Sequence, residues 1–166
     1  MRKFVGILIS IVCLITMSSC GLIMNGIWSL FGEKKTYKEI VGERLSVDLS
    51  SAKVLEEWDT HGGFHGDGES FLKMSVPNDF EEKLDIGEVV DGKAGDGWYA
   101  MPFTGTVYEY YYEWGGLFEH PETREKVIPE IANGYWKFTS EQSGFNWELA
   151  VLDADADILY YYEFDS

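Results

Sequence analysis

Apolar and polar positions alternate with a different rhythm in each part of this 166-residue chain. From Phe4 to Met17 there is no polar face at all, only a continuous apolar run without helical amphipathicity. After "GEKK", Gly32 to Lys35, the pattern becomes that of a folded domain, which the sequence starts near Tyr37. "YKEIVG", Tyr37 to Gly42, predicts a short helix stopped by its glycine. "AKVLEEWDTH" predicts a strand ending at His61. "ESFLKMSV", Glu69 to Val76, sets Phe71, Lys73 and Ser75 against Leu72, Met74 and Val76, the period of two expected of a strand.

"PNDFEEKLD" predicts a short helix with Asn78 as N-cap, Glu81 three residues on, and Phe80 and Leu84 on one face. Asp91 to Gly97 is the most loop-like stretch, and "WYAMPF" reads as a strand closed by proline. "TVYEYYYEWGG" reads both ways, since its aromatics favour a strand while Thr104 is a candidate helix cap. "HPETREKVIPEIANG" is a loop. "GYWKFTS", "FNWELAVLD" and "DILYYYEFDS", separated by "EQSG" and "ADA", predict a three-strand antiparallel meander. Phe145, Trp147, Leu149 and Val151 mark its buried face. The expected fold is α+β, mainly an antiparallel sheet with one or two short helices, behind an N-terminal apolar signal or anchor segment.

Composition agrees with a packed core: 45% of residues are hydrophobic and 16% aromatic. Charge changes the picture more. The chain carries −16, and Arg2 and Lys3 are the only charges among its first twenty residues. Without those two, 11 basic and 29 acidic residues remain, a charge of −18. Such a surface repels phosphate backbones and excludes nucleic acid as a partner. Both cysteines, Cys13 and Cys20, lie in the apolar segment, so the domain holds no disulfide, Cys nucleophile or thiolate metal site.

The N-terminus reads as an address. Arg2 and Lys3 form a positive region, the apolar run has signal-peptide length, and "MSSC", Met17 to Cys20, then places two small residues before a cysteine. This is similar to a bacterial lipobox, with Met17 where leucine is usual; the resemblance implies cleavage before Cys20 and lipid on its sulfur. The expected organisation is a signal peptide over 1–20, a tether over 21–36 and one extracytoplasmic domain over 37–166. The alternative is an uncleaved spanning helix, because "GLIMNGIWSLF" prolongs the apolar run, possible to residue 31. Either way the domain is held to a cell membrane on its extracytoplasmic face.

The stretch "DTHGGFHGDG", Asp59 to Gly68, holds the candidate chemistry. His61 and His65 with Asp59 and Asp67 supply imidazole and carboxylate. That suffices for a general base with an orienting acid, or for a metal site of His61, His65 and Asp67. The H-G-G-F-H order lacks the glutamate and the helix of a zinc-protease motif. The preferred reading is a hairpin connection in which Gly62, Gly63, Gly66 and Gly68 supply positive φ and Phe64 folds inward. Ligand or metal binding ranks second and catalysis third.

"DADAD", Asp153 to Asp157, fails as a calcium loop because Ile158 and Phe164 stand where glycine and a carboxylate are needed. It reads as a hairpin turn. Trp58, Trp98, Trp136 and Trp147 fall in strand-like runs, where core is the default, and His120 reads as a solvated loop residue. No cofactor is expected: there is no G-x-S-x-G, P-loop or dinucleotide fingerprint.

Taken together, "MSSCG", "YKEIVG", "DTHGGFHGDGESF", "IPEIANGYW" and "FNWELAVLDADADILYYYEFD" resemble a group of small uncharacterised lipoproteins of Gram-positive bacteria. The resemblance implies a membrane address and carries no activity. The leading functional expectation is a non-enzymatic, membrane-anchored extracytoplasmic domain binding a protein or cell-envelope ligand. A hydrolase or metal-dependent enzyme using His61 or His65 with Asp59 or Asp67 is the alternative. An immunity or inhibitor protein with an acidic binding face is the third.

Overall fold

In the computed structural model, residues 35–62, 67–88, 96–113, 118–141 and 146–166 are described, and Tyr37–Ser166 form one unit. The three aromatic-rich runs at the C-terminus pair as the meander that their pattern predicts: β4 (Gly134–Glu141), β5 (Asn146–Asp153) and β6 (Ile158–Asp165). Two earlier strands, β1 (Lys53–Asp59) and β2 (Gly68–Ser75), form a hairpin, and the two-residue β3 (Tyr99–Ala100) adds to the far side. The result is one six-stranded antiparallel sheet in the order β1-β2-β6-β5-β4-β3. β6, last in sequence, is therefore central, with Gly68↔Asp165 to Ser75↔Ile158 on one side and Trp147↔Phe164 to Asp153↔Ile158 on the other.

The register explains the core. Alternate residues of β2, β5 and β6 point to opposite faces. Leu72, Met74, Ala150, Leu152, Leu159 and Tyr161 share one face and pack with Val41, Leu45, Phe80 and Trp98. Phe71, Leu149, Val151, Tyr160 and Tyr162 share the other, with Trp136, Trp147, Tyr111 and Phe118. On that second face Trp147 stacks on Tyr162 at 5.7 Å and on Phe164 at 5.4 Å between ring centroids. Each large side chain so buried stabilises the fold by about 1.5–3 kcal/mol. The expectation that only the Trp147, Leu149, Val151 side of β5 is buried is corrected here. Ala150 and Leu152 on the other side are buried too, because helix α1 (Tyr37–Leu45) covers that face. Phe145 lies outside the described residues.

Several local expectations are corrected. Gly42 does not stop α1; it is buried within the helix. The stop is at Ser46, at φ 59°, where the Val47 N–H donates to Gly42 O at 2.9 Å and the Ser46 N–H to Glu43 O at 3.2 Å. That is a Schellman closure with serine in place of glycine. "PNDFEEKLD" makes only a 3₁₀ turn, Glu81–Lys83, with no side-chain cap; Asn78 does not cap it. Phe80 and Leu84 are still both buried, as their spacing suggests. β1 ends at Asp59 rather than His61, and "WYAMPF" pairs over two residues before a cis Met101–Pro102 bond.

"TVYEYYYE" is helical: α2 (Gly105–Tyr108) runs into a π-helical turn, Glu109–Glu113. Thr104 stands at its N-cap position without a side-chain hydrogen bond. Trp98, Trp136 and Trp147 are buried and Trp58 is half-buried. His120 is not simply solvated. Its Nδ1 accepts the Glu122 and Thr123 N–H groups at 3.2 and 3.3 Å, and its ring meets Trp58 edge-on at 5.7 Å.

Candidate functional site

The antiparallel order brings five chain positions to one end of the sheet: the end of β1, the start of β2, the end of β4, the start of β5 and the end of β6. Asp59 closes β1 there. Its Oδ1 accepts the His61 backbone N–H at 2.8 Å and stands 2.6 Å from His61 Nδ1. A carboxylate only accepts, so Nδ1 donates. Burial pushes the Asp59 carboxyl up, but the two hydrogen bonds and charge of His61 outweigh it and hold it below its ordinary value.

Thr60, between the two, clamps the hairpin. Its N–H donates to Glu69 O at 2.8 Å, and its hydroxyl accepts the Glu69 N–H at 2.8 Å. Gly68 packs against this turn: a Cβ there would stand 2.7 Å from His61 Cα and N. The role of Gly68 is thus close approach. Neither Gly62 nor Gly68 takes the positive φ expected of it. His65, Gly63, Phe64 and Gly66 lie outside the described residues. Of the four candidates, Asp59 and His61 are in contact, and Asp67 lines a shallow cleft.

That cleft, about 490 Å³, is lined by Thr60, Asp67, Gly68 and Glu69, by Pro121 and Arg124, and by Phe164 to Ser166. A second concavity, about 430 Å³, is lined by Arg44, Thr139, Glu141, Asn146, Trp147 and Glu148, and by Glu163 to Asp165. Phe164 and Asp165 line both, so the two hollows flank the end of β6. Carboxylates dominate the rim: Asp67, Glu69, Glu141, Glu148, Glu163 and Asp165 against Arg44 and Arg124.

Arg44 is already occupied. Its Nη1 bonds Glu163 Oε1 at 2.6 Å, Glu148 Oε1 at 2.9 Å and the Tyr161 hydroxyl at 3.0 Å. Behind it the Tyr37 hydroxyl pairs with Ser70 Oγ and donates to Glu163 Oε2 at 3.2 Å. This network ties α1 to the sheet. Burial raises the Tyr37 and Tyr161 phenols well above their usual range, so both stay protonated. Burial also raises Glu148, with Arg44 pulling down and Glu163 adding repulsion. Burial would lower Arg44, but hydrogen bonds to Glu163 and Tyr161 reverse that, and it remains a cation. The sequence offers no motif for these residues; the one visible signal is a glutamate, Glu163, following three tyrosines in a strand.

At the opposite end of β6, "DADAD" is the expected turn. Asp153 Oδ1 accepts the Asp155 and Ala156 N–H groups at 3.1 and 3.2 Å, and Asn133 Nδ2 donates to Asp155 Oδ1 at 2.7 Å. Among the described residues no three His, Cys, Asp or Glu side chains stand close enough to hold a metal ion. Among the same residues no helix is long and apolar enough to cross a membrane, and Cys20 with the whole N-terminal segment lies outside them. No family model, no curated protein and no solved structure matches the chain.

Proposed function

We propose that the chain is a membrane-anchored extracytoplasmic binding domain, not an enzyme, and that its binding surface is the carboxylate-rich end of the sheet. The address rests on the positive start, the apolar run and the lipobox-like Cys20, as in the Gram-positive lipoproteins that the chain resembles. The binding reading rests on one observation: two open hollows meet at Phe164 and Asp165, and of their two arginines Arg44 is bound to Glu148 and Glu163. With a chain charge of −16, the partner is expected to be cationic, a protein or an envelope component. An immunity or inhibitor role against a basic protein is one form of this reading.

The experiment is titration of the full-length chain in detergent micelles with a cationic peptide, at low and at physiological salt. Saturable binding that weakens with salt supports the reading, and an absence of binding at low salt contradicts it. A second reading has its own observation. The 2.6 Å Asp59–His61 pair is the arrangement of an oriented general base, which would make the chain a hydrolase, with His65 and Asp67 as further candidates for catalysis or metal. Hydrolysis of an ester or peptide substrate lost in His61→Ala, with cationic binding absent, would replace the first reading by the second.

A further inference from the structure

β1 is the outermost strand of the sheet, and its outer side carries no strand among the described residues. The inner side pairs with β2, and the Thr60 N–H donating to Glu69 O sets the parity of that ladder. In an antiparallel pair alternate residues turn both backbone groups towards the partner strand. Trp58, opposite Phe71, therefore faces inward, and the N–H and C=O groups of Glu57 and Asp59 face outward. The register shift between Val54 and Glu56 leaves Glu56 to Asp59 regular. Such an edge is a template for an added strand.

Charge decides which strand. β1 carries Glu56, Glu57 and Asp59 against Lys53, in a chain of charge −16. A second copy of β1 would set carboxylates opposite carboxylates, which is destabilising. Acidic side chains and a bulge are how edge strands avoid pairing with their own kind, and the same features admit a basic strand. At the start of β1, Val54 and Leu55 are exposed by 38% and 47% and offer an apolar contact to a longer segment. β1 also ends at Asp59, next to Thr60 on the wall of the Asp67 cleft, so the edge adjoins the rim.

We infer that the outer edge of β1 takes an extended basic segment of a partner protein by strand addition. This rests on the binding-domain reading and names the partner's chemistry.

The test uses the full-length chain in detergent micelles and a capped heptapeptide alternating lysine and valine. A second peptide of the same sequence is N-methylated at its three central residues, keeping the charge and removing hydrogen-bond donors. Two variants accompany them. Glu57→Pro removes an N–H that points outward, where an edge strand tolerates proline; Glu57→Gln removes only the charge. Methylation and Glu57→Pro should each weaken binding by about tenfold or more, and Glu57→Gln by less than about threefold. If Glu57→Pro fails to fold, the methylated peptide on the wild-type chain decides. Equal affinity for both peptides overturns the inference and leaves the binding-domain reading standing; no binding by either peptide overturns both.

Discussion

The turn before β6, Asp153 to Asp157, and the rim around its last residues, Phe164 and Asp165, are made largely of the same residue type. In the turn two of the three carboxylates are consumed. Asp153 takes two backbone N–H groups and Asp155 takes Asn133, so little is left for a ligand. At the rim, Glu141, Asp67, Glu69 and Asp165 line open hollows, while Glu148 and Glu163 share Arg44. Carboxylate content alone therefore does not mark a site. What marks one is whether local backbone donors or cations have already used the charge.

The largest expected effect is at the turn end. Gly134 faces Asp153 across β4 and β5, and a Cβ there would stand 1.9 Å from Leu152 O. Gly134→Val should cost about 3 kcal/mol, read as a lowered denaturant midpoint, because the clash is with backbone that a side chain cannot yield to. Cationic binding by the fraction still folded should be unchanged.

Next comes the occupied part of the rim. Arg44→Met leaves Glu148 and Glu163 facing each other without their cation. With Arg44 38% exposed, solvent screening limits the loss to about 1–2 kcal/mol. The freed carboxylates should tighten binding of a cationic peptide, so weaker binding by the folded variant would contradict their role in binding. Asp153→Ala comes third, at about 1 kcal/mol for two turn hydrogen bonds, with no change in binding.

The smallest effect is in pH dependence, where the two shifted carboxyls at this end of the sheet, Asp59 and Glu148, have opposite signs. Asp59 is held below its ordinary value, so its contribution is present above the unfolded pKa and lost as pH falls through the lower folded one. Glu148 is raised, so its contribution is present below the unfolded pKa and lost as pH rises through the higher folded one. Asp59→Asn should flatten the acid limb of a stability–pH curve by a few tenths of a kcal/mol, since Asp59 is 64% exposed. Glu148→Gln should flatten the limb above the usual carboxylate range.

The meander was legible because runs such as "FNWELAVLD" keep period two and are joined by short polar gaps. The two YYYE segments show where legibility stops. Residues 110–113 lie in a π-helical turn, while 160–163 lie in the central strand. In the first, Tyr110 and Tyr111 join Phe103 and Val107 in the core and Tyr112 is left 49% exposed. In the second, pairing with β2 and β5 buries all three tyrosines on alternating faces. Propensity is the same in both; non-local pairing decides. The site divides the same way. Asp59 and His61 are two residues apart, so their contact is a local turn that sequence can suggest. Arg44 and Glu163 are 119 residues apart, and only the assembled sheet brings them together.

The most direct measurement is residue-by-residue NMR of the full-length chain in micelles as a cationic peptide is added. Shifts are expected for amides near Asp59 to His61, Asp67 to Glu69 and Glu163 to Ser166, with Asp153 to Asp157 unmoved. Shifts at the Asp153 turn as large as those at the rim, or none at either end, would contradict the account.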